Sequence, residues 1–256
     1  MFKEENYTKI DITRIAKGEK EKIPDTVARE FYAKIILNEE QIVTLKCSPD
    51  NYDYLGVGYL FTQGILQRKE DIDSIVIDAD QAKVSIKTKN TDYVGKDFLL
   101  SQKPNVKIEK LTDRLLLKKN FLQVNDKIIF NLIKDIQKKA EIFRLTGGVH
   151  HCALAGEKGS IILFTEDISR YNTIDKILGE AFLKNISTED KIIITSCRIT
   201  SDILSKIAFG RIPVVISRAA STDKAIDFAQ KTCITLIGFA RDEKMNIYTH
   251  PERIII

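Results

Sequence analysis

The amino-acid sequence predicts an α/β fold, with a three-layer αβα core and a smaller, β-rich N-terminal subdomain. In the second half of the chain, short runs rich in β-branched residues alternate with amphipathic segments, which is typical of βαβ units around a parallel sheet. In the first half, alternating apolar runs come in pairs around turn residues, which is typical of hairpins. A chain of 256 residues can hold two modest domains, and we place them at residues 1–120 and 121–256.

The N-terminal subdomain is predicted to contain two hairpins and one helix. Asn38-Glu39-Glu40 provides a turn for the first hairpin, and apolar positions at helical spacing predict a helix over residues 50–64. Residues 89–119 are polar and show no periodic pattern, so we expect a loop or linker there. The predicted strands are residues 28–37, 41–46, 73–77 and 83–88.

The C-terminal domain is predicted to begin with a helix and to continue as alternating strands and helices. The first helix, over residues 126–142, has one apolar face, and Asn125 or Asp126 can cap its start. A short strand over residues 245–249 is expected at the edge of the sheet. The predicted core strands are residues 160–164, 191–195, 212–216 and 234–239. The helices between them are predicted near residues 173–184, 201–209 and 222–231.

The composition favours a cytoplasmic globular protein. Hydrophobic residues make up 43% of the chain and charged residues 30%. No segment approaches the roughly 18–20 consecutive apolar residues of a membrane span, and the charged N-terminus is unlike a signal peptide. The net charge of +4 is spread along the chain without a basic stripe interleaved with aromatic residues. We therefore expect neither a membrane nor a nucleic-acid partner, and a small anionic ligand fits this charge balance better.

An arginine follows each of the four predicted core strands. Ligands of open parallel sheets bind outside the carboxyl ends of the strands, so these loops should share one edge, which we call the rim. Serine and threonine in the first three loops are explained well enough as helix N-caps. Guanidinium groups beside helix N-termini nevertheless favour a phosphorylated ligand. The rim comprises residues 165–170, 196–200, 217–222 and 240–244, with Arg170, Arg198, Arg218 and Arg241.

A second candidate motif is TGGVHHC, residues 146–152. Gly147 can form a tight turn or allow a close backbone approach to a ligand. The adjacent residues His150 and His151 cannot face the same way, so only one can point at a given site, and we expect His150 to do so. No glutamate follows at zinc-deaminase spacing and no CxxC is present, so no metal site is predicted. Cys152 is most simply interpreted as a small buried residue.

These motifs together resemble the FdhD-type family of formate dehydrogenase accessory sulfur carriers, over nearly the whole chain. In the first half, residues 30–66 resemble the hairpin, Ser-Pro and helix of that family. The matching segments of the second half are LTGGVHHCAL, EDISRYNTIDKILG, SCRITSDILSK, SRAASTDKAIDFA and LIGFARDEKMNIYTHPERI, in the family's order.

The resemblance implies a cytidine deaminase-like fold without deaminase chemistry, and a homodimer. It implies that sulfur is taken as a persulfide from a cysteine desulfurase. The sulfur is passed to molybdenum in the bis(molybdopterin guanine dinucleotide) cofactor before insertion into formate dehydrogenase. A GDP-like nucleotide would be a partial mimic of this cargo. The family's binding stretch together with the rim and TGG motifs gives these candidates: Phe239, Ala240, Arg241, Asp242, Glu243, Lys244, Arg198, Gly147 and His150.

The chain also departs from the family pattern. The family's persulfide CxxC corresponds to residues 105–135, which contain no cysteine. Smaller departures are Ser169 in place of Gly, Tyr171 in place of His, and Ser221 where Pro is common.

Three functions therefore stay open. The first is a sulfurtransferase that uses another thiol, with Cys152 ranked ahead of Cys197. The second is a cofactor-binding chaperone without sulfur chemistry, and for this reason no catalytic residue is assigned. The third, an unrelated enzyme such as a deaminase or phosphotransferase, lacks a zinc signature, a P-loop and a Gly-rich dinucleotide loop.

Overall fold

The computed structural model describes residues 6–90 and 122–256, which form a mixed α/β fold with six α-helices. None of the helices in these two ranges is long and apolar enough to cross a membrane. The loop predicted over residues 89–119 falls almost entirely outside the described residues.

The N-terminal part contains two antiparallel units and one helix. A two-stranded hairpin comes first, with a turn at Lys17-Gly18. A four-stranded sheet follows in the order β4-β3-β6-β5, and the apolar side of α1 packs on one of its faces. The elements are β1 Tyr7–Ala16, β2 Glu19–Ala28, β3 Phe31–Leu37, β4 Glu40–Cys47, α1 Tyr52–Thr62, β5 Ile72–Asp78 and β6 Lys83–Thr88. Both predicted hairpins and the predicted helix are confirmed, and the hairpin of β1 and β2 is an addition.

The core of the C-terminal part is a six-stranded sheet in the order β13-β12-β11-β10-β8-β9. Strands β10, β11 and β12 are parallel, whereas β8 runs antiparallel to both β9 and β10. The four predicted core strands do run in the same direction, but the sheet is mixed, because the HHCALAG segment forms a buried antiparallel strand that separates β9 from β10. The strands are β8 His150–Gly156, β9 Ile161–Asp167, β10 Lys191–Thr195, β11 Val214–Ser217, β12 Thr235–Arg241 and β13 Lys244–Ile247. Strand β13 is the expected edge strand.

Helices cover both faces of this sheet, which confirms the three layers. Alternate strand residues point to opposite faces, so Cys152 and Leu154 pack with helices α4–α6, while Ala153 and Ala155 pack with helix α2. The helices are α2 Asp126–Lys139, α3 Glu141–Thr146, α4 Arg170–Leu183, α5 Ser201–Phe209 and α6 Asp223–Lys231. The short strands β7 Val124–Asn125 and β14 Ile254–Ile255 pair in parallel. The expected likeness to the cytidine deaminase-like fold stays a prediction.

Helices α1 and α4 join the two parts of the chain at backbone contact. A Cβ atom added at Gly58 of α1 would lie 1.8 Å from the carbonyl oxygen of Asp175 in α4. A Cβ atom at Gly179 of α4 would lie 2.0 Å from the carbonyl oxygen of Tyr54 in α1. Only glycine fits at these two positions, so the N-terminal part is held tightly against the helix that starts at the rim.

Candidate functional site

The structure brings the four rim loops to one edge of the sheet. Strand β9 points the same way as β10, β11 and β12, because β8 between them is antiparallel to both of its neighbours. The amino end of β8 therefore lies at the same edge, and His150 is the strand partner of Asp167. The loops are also bonded to one another, since Ile199 N donates to Ala220 O and Phe239 N donates to Ala219 O, both at 3.0 Å.

Three helices begin at the rim, but their N-termini differ. Thr200 and Thr222 cap helices α5 and α6 by accepting backbone N–H groups, which confirms the N-cap interpretation of these residues. Each of these two helices also has an aspartate in its first turn. Helix α4 has no acidic residue in its first turn, and within the described residues the Ser169 side chain makes no cap bond. The carboxylate of Asp167 accepts the N–H of Ser169 just before this helix, while the N–H groups of the first turn itself are left for an anion.

The rim arginines divide between the two faces of the sheet. Arg170 is half-buried and stacks on Tyr171, with its Cζ 4.6 Å from the ring centroid. Arg218 turns towards helix α2, where its Nη2 lies 2.7 Å from the side-chain oxygen of Gln137 once that amide is oriented to accept. Arg198 and Arg241 are exposed. The four arginines share an edge, as predicted, but only some of them can face one ligand.

The hairpin of β12 and β13 presents the candidate stretch Phe239–Lys244. A bulge interrupts the pairing between Gly238 and Arg241, and within it Phe239 has a φ of 51° and is 38% exposed. Left-handed backbone is unusual for a large side chain, and bulges often turn side chains towards functional sites. Asp242 and Glu243 form the turn between the two strands. The bulge therefore turns an aromatic ring to solvent beside Arg241.

The two glycines of the TGG motif serve the turn from α3 into β8. Gly147 has a φ of 64° and ends helix α3, and its N–H donates to Phe143 O at 2.8 Å. A Cβ atom at Gly148 would lie 3.0 Å from the Cβ of Ala28 at the end of β2. The turn geometry accounts for Gly147 locally, and its contact with a ligand stays a prediction.

The adjacent histidines occupy successive positions of β8 and so face opposite sides of the sheet, as expected. His150 is half-buried beside Arg170, and burial together with that positive charge lowers its pKa. His151 is 1% exposed between the rings of Phe143 and Phe164, at centroid distances of 5.5 and 6.4 Å. Burial, and then the charge of Arg218, lower the pKa of His151 to about 4. Neither of its ring nitrogens has a hydrogen-bond partner in the described part of the chain.

All four thiols lie in described residues, and none is exposed at the rim. Cys152 and Cys197 are 0% and 2% exposed, and burial raises the pKa of both. Cys47 is buried as well, and burial, followed by the charge of Asp167, raises its pKa to about 12. Cys233 is partly exposed, but it precedes β12 and so lies at the opposite edge. No group of three or more His, Cys, Asp or Glu that could hold a metal ion occurs within residues 6–90 and 122–256.

A buried ion cluster beneath the rim was not predicted from the sequence. Lys176 of α4 pairs with Asp167 at the end of β9 and with Asp50, which follows β4. The spacing of Asp167 and Lys176 within EDISRYNTIDK could have suggested a local pair. No sequence pattern indicated Asp50, which is 126 residues away from Lys176.

The fold and the rim define a three-layer α/β protein whose sheet edge combines arginines with a free helix N-terminus. The sequence pattern of the FdhD/NarQ family matches residues 28–255, and the chain belongs to this family. It is 37% identical over 253 residues to the sulfur carrier protein FdhD of Listeria monocytogenes serotype 4b (strain F2365), covering 95% of this chain and 97% of the relative. It is 33% identical over 260 residues to the sulfur carrier protein FdhD of Bacillus subtilis (strain 168), covering 95% and 96%.

A solved structure shows the same fold. The crystal structure of a protein from Desulfotalea psychrophila, described as a formate dehydrogenase accessory protein, matches with a TM-score of 0.83. The match covers 97% of this chain and 99% of the other at 24% sequence identity. The family recognised from the motifs is confirmed by the family pattern and by the two sulfur carrier proteins.

Proposed function

We propose that this protein is an accessory protein for formate dehydrogenase that binds the molybdenum bis(molybdopterin guanine dinucleotide) cofactor as cargo. The observation that carries this proposal is the convergence of Arg170, His150 and the free N-terminus of α4 at one edge, with Arg198 and Arg241 exposed in the same set of loops. Membership of the FdhD/NarQ family, and the names of the relatives, support the accessory role.

The guanosine diphosphate groups of the cargo are the parts that suit the rim. Their phosphates can accept hydrogen bonds from guanidinium forks and from the first N–H groups of α4. Phe239, exposed at the bulge, offers a ring face on which a purine base can stack. Lys244 starts the strand after this turn and adds a further positive charge.

We favour cargo binding without a sulfur relay at the rim. The carrier thiol of a relay must reach a donor protein and then the cargo, and it reacts as a thiolate. Cys152 and Cys197 are buried, and burial raises the pKa of both thiols. Cys233 lies at the other edge of the sheet. A cysteine desulfurase partner, a homodimer and a cytoplasmic location stay predictions.

Calorimetry with GDP tests this proposal. A charge-assisted hydrogen bond contributes about 1.5–3 kcal/mol, so Arg241→Ala should weaken GDP binding by about 10–150-fold. Added salt should weaken the binding of GDP to the wild-type protein, because its phosphates are charged. Arg211→Ala is the matched control, because Arg211 precedes β11 at the opposite edge and pairs with Glu189. Wild-type protein that does not bind GDP would refute the proposed rim site, and equal affinities of the two variants would remove Arg241 from it.

A further inference from the structure

The ion cluster beneath the rim contains a completely buried ammonium group. Lys176 is 1% exposed, and its Nζ lies 2.7 Å from Oδ2 of Asp167, which is 0% exposed. The same Nζ also pairs with Oδ1 of Asp50, whose side chain is 25% exposed. Burial alone would lower the pKa of Lys176, but the charges of Asp167 and Asp50 outweigh this effect and raise it. The lysine is therefore a fixed positive charge between two carboxylates.

The cluster joins three segments of the chain at the start of α4. Asp167 accepts hydrogen bonds from Ser48 N at 3.1 Å and from Ser169 N at 2.8 Å. Asn172 reaches the same carboxylate at 3.0 Å and also donates to Lys46 O at 2.7 Å. The segment after β4, the end of β9 and the first turn of α4 are thus held around one charged group.

The position of the cluster also sets the charge at the rim. Asp167 is the strand partner of His150 and lies three residues before Arg170, so an unbalanced carboxylate there would oppose an incoming phosphate. Lys176 offsets one of the two carboxylate charges from within the protein, so the cluster carries a net charge of −1 instead of −2. The stability of the fold does not by itself explain why charged residues occupy these buried positions, because a buried ion pair is often no more stabilising than apolar residues of the same volume.

We propose that Lys176 is a positioning residue for the anionic ligand of the rim. It holds the loop that carries Arg170 and offsets the charge of Asp167, without touching the ligand itself. This inference rests on the proposed function for the identity of the ligand, although the placement of the loop can be measured without any ligand.

The test compares Lys176→Met with Lys206→Met. Lys206 of α5 forms a second buried ion pair with α4, because its Nζ lies 2.8 Å from Oδ1 of Asp175. This lysine also donates to Thr62 of α1, which lies away from the rim. Lys176→Met should weaken GDP binding by about 3–30-fold in calorimetry, while Lys206→Met stays within about twofold of wild type. Hydrogen exchange should become faster at the Ser48 and Ser169 amides in Lys176→Met alone.

The outcomes separate this inference from the proposed function. Wild-type protein that does not bind GDP refutes the rim function, and the exchange rates at Ser48 and Ser169 then decide the role of Lys176 by themselves. Unchanged exchange at both amides, or equal loss of GDP affinity in the two methionine variants, overturns the inference. If Lys176→Met does not fold, Lys176→Gln replaces it, since glutamine is also uncharged but can still hydrogen-bond to Asp167. Lys176→Gln should speed exchange at Ser48 and Ser169, and unchanged rates at both amides would overturn the inference equally.

Discussion

The buried imidazole of His151 makes the stability of the protein depend on pH. Its pKa of about 4 in the folded protein lies below the ordinary value of 6.5, because a charged imidazole would be buried without a partner beside Arg218. Well above pH 6.5 the histidine is neutral in both the folded and the unfolded chain. As the pH falls from 6.5 to about 4, only the unfolded chain takes up the proton, so stability is lost within this window.

The size of this loss follows from the difference between the two pKa values. A difference of about 2.5 units, at 1.36 kcal/mol per unit, corresponds to about 3 kcal/mol between pH 7 and pH 4. His151→Leu removes the titrating group together with two nitrogens that have no partner. At pH 7 this variant should be at least as stable as wild type, because an apolar side chain leaves no buried polar atom unsatisfied.

The assay is urea unfolding followed by far-ultraviolet circular dichroism at several pH values from 7 to 4. At each pH we compare the free energy of unfolding of His151→Leu with that of wild type. The difference in favour of the variant should be about 3 kcal/mol larger at pH 4 than at pH 7. Phe164→Leu is the control, since it changes the packing around His151 but keeps the imidazole, and it should retain the wild-type pH dependence. The reasoning is refuted if the free energies of unfolding of His151→Leu and wild type differ by the same amount at pH 7 and at pH 4.

Two further predictions concern the thiols and the helix contact. Incubation with a cysteine desulfurase and labelled cysteine should leave no persulfide on Cys152 or Cys197, because both thiols are buried. The second test expresses this protein in a strain that lacks its own FdhD-type protein. If formate dehydrogenase activity is restored by the wild-type chain but not by Cys152→Ser, cargo binding without sulfur transfer is contradicted. Gly58→Ala should destabilise the fold by about 3 kcal/mol or more in urea, because its Cβ would meet the backbone of α4. Gly18→Ala, in an open turn with a φ of 85°, should cost only about 1 kcal/mol.

Periodicity predicted most of the elements of the fold. The strands over residues 83–88 and 191–195 and the helix over residues 201–209 have the predicted bounds, because their apolar positions follow the strand and helix repeats closely. The helix predicted over residues 126–142 ends earlier, at Lys139. Ala140 leaves the helical conformation with a ψ of 76°, and a new short helix begins at Glu141.

Two units escaped prediction because their sequences lack these patterns. The hairpin of β1 and β2 is largely exposed on both faces, so its strands are rich in charged residues and their apolar alternation is limited to Ile10 and Ile12. Strand β8 consists of two histidines, one leucine and small residues, and its side chains are nearly all buried on both faces. Because no strand was predicted over HHCALAG, the antiparallel strand between β9 and β10 was not expected.

The rim was predictable because parallel strands place successive loops at one edge whatever their side chains contact. The division of its arginines between two faces was not predictable, since it depends on whether each side chain points to α2 or to α4. The ion cluster was missed for a related reason. Its partners Asp50 and Lys176 come together only through the packing of α1 on α4, and no local pattern records that packing.

The departures from the family pattern differ in their structural consequences. Ser169 has a φ of −105° and a ψ of 124°, an extended conformation that any residue adopts, so replacing glycine there costs no backbone strain. Tyr171 supports the neighbouring arginine, because its hydroxyl accepts a hydrogen bond from Arg170 at 3.2 Å. These two changes preserve the start of α4. The loss of the CxxC has no such compensation, because the cysteines nearest the rim are buried in the core. A rim with exposed arginines and no exposed thiol therefore supports the proposal of cargo binding without sulfur transfer.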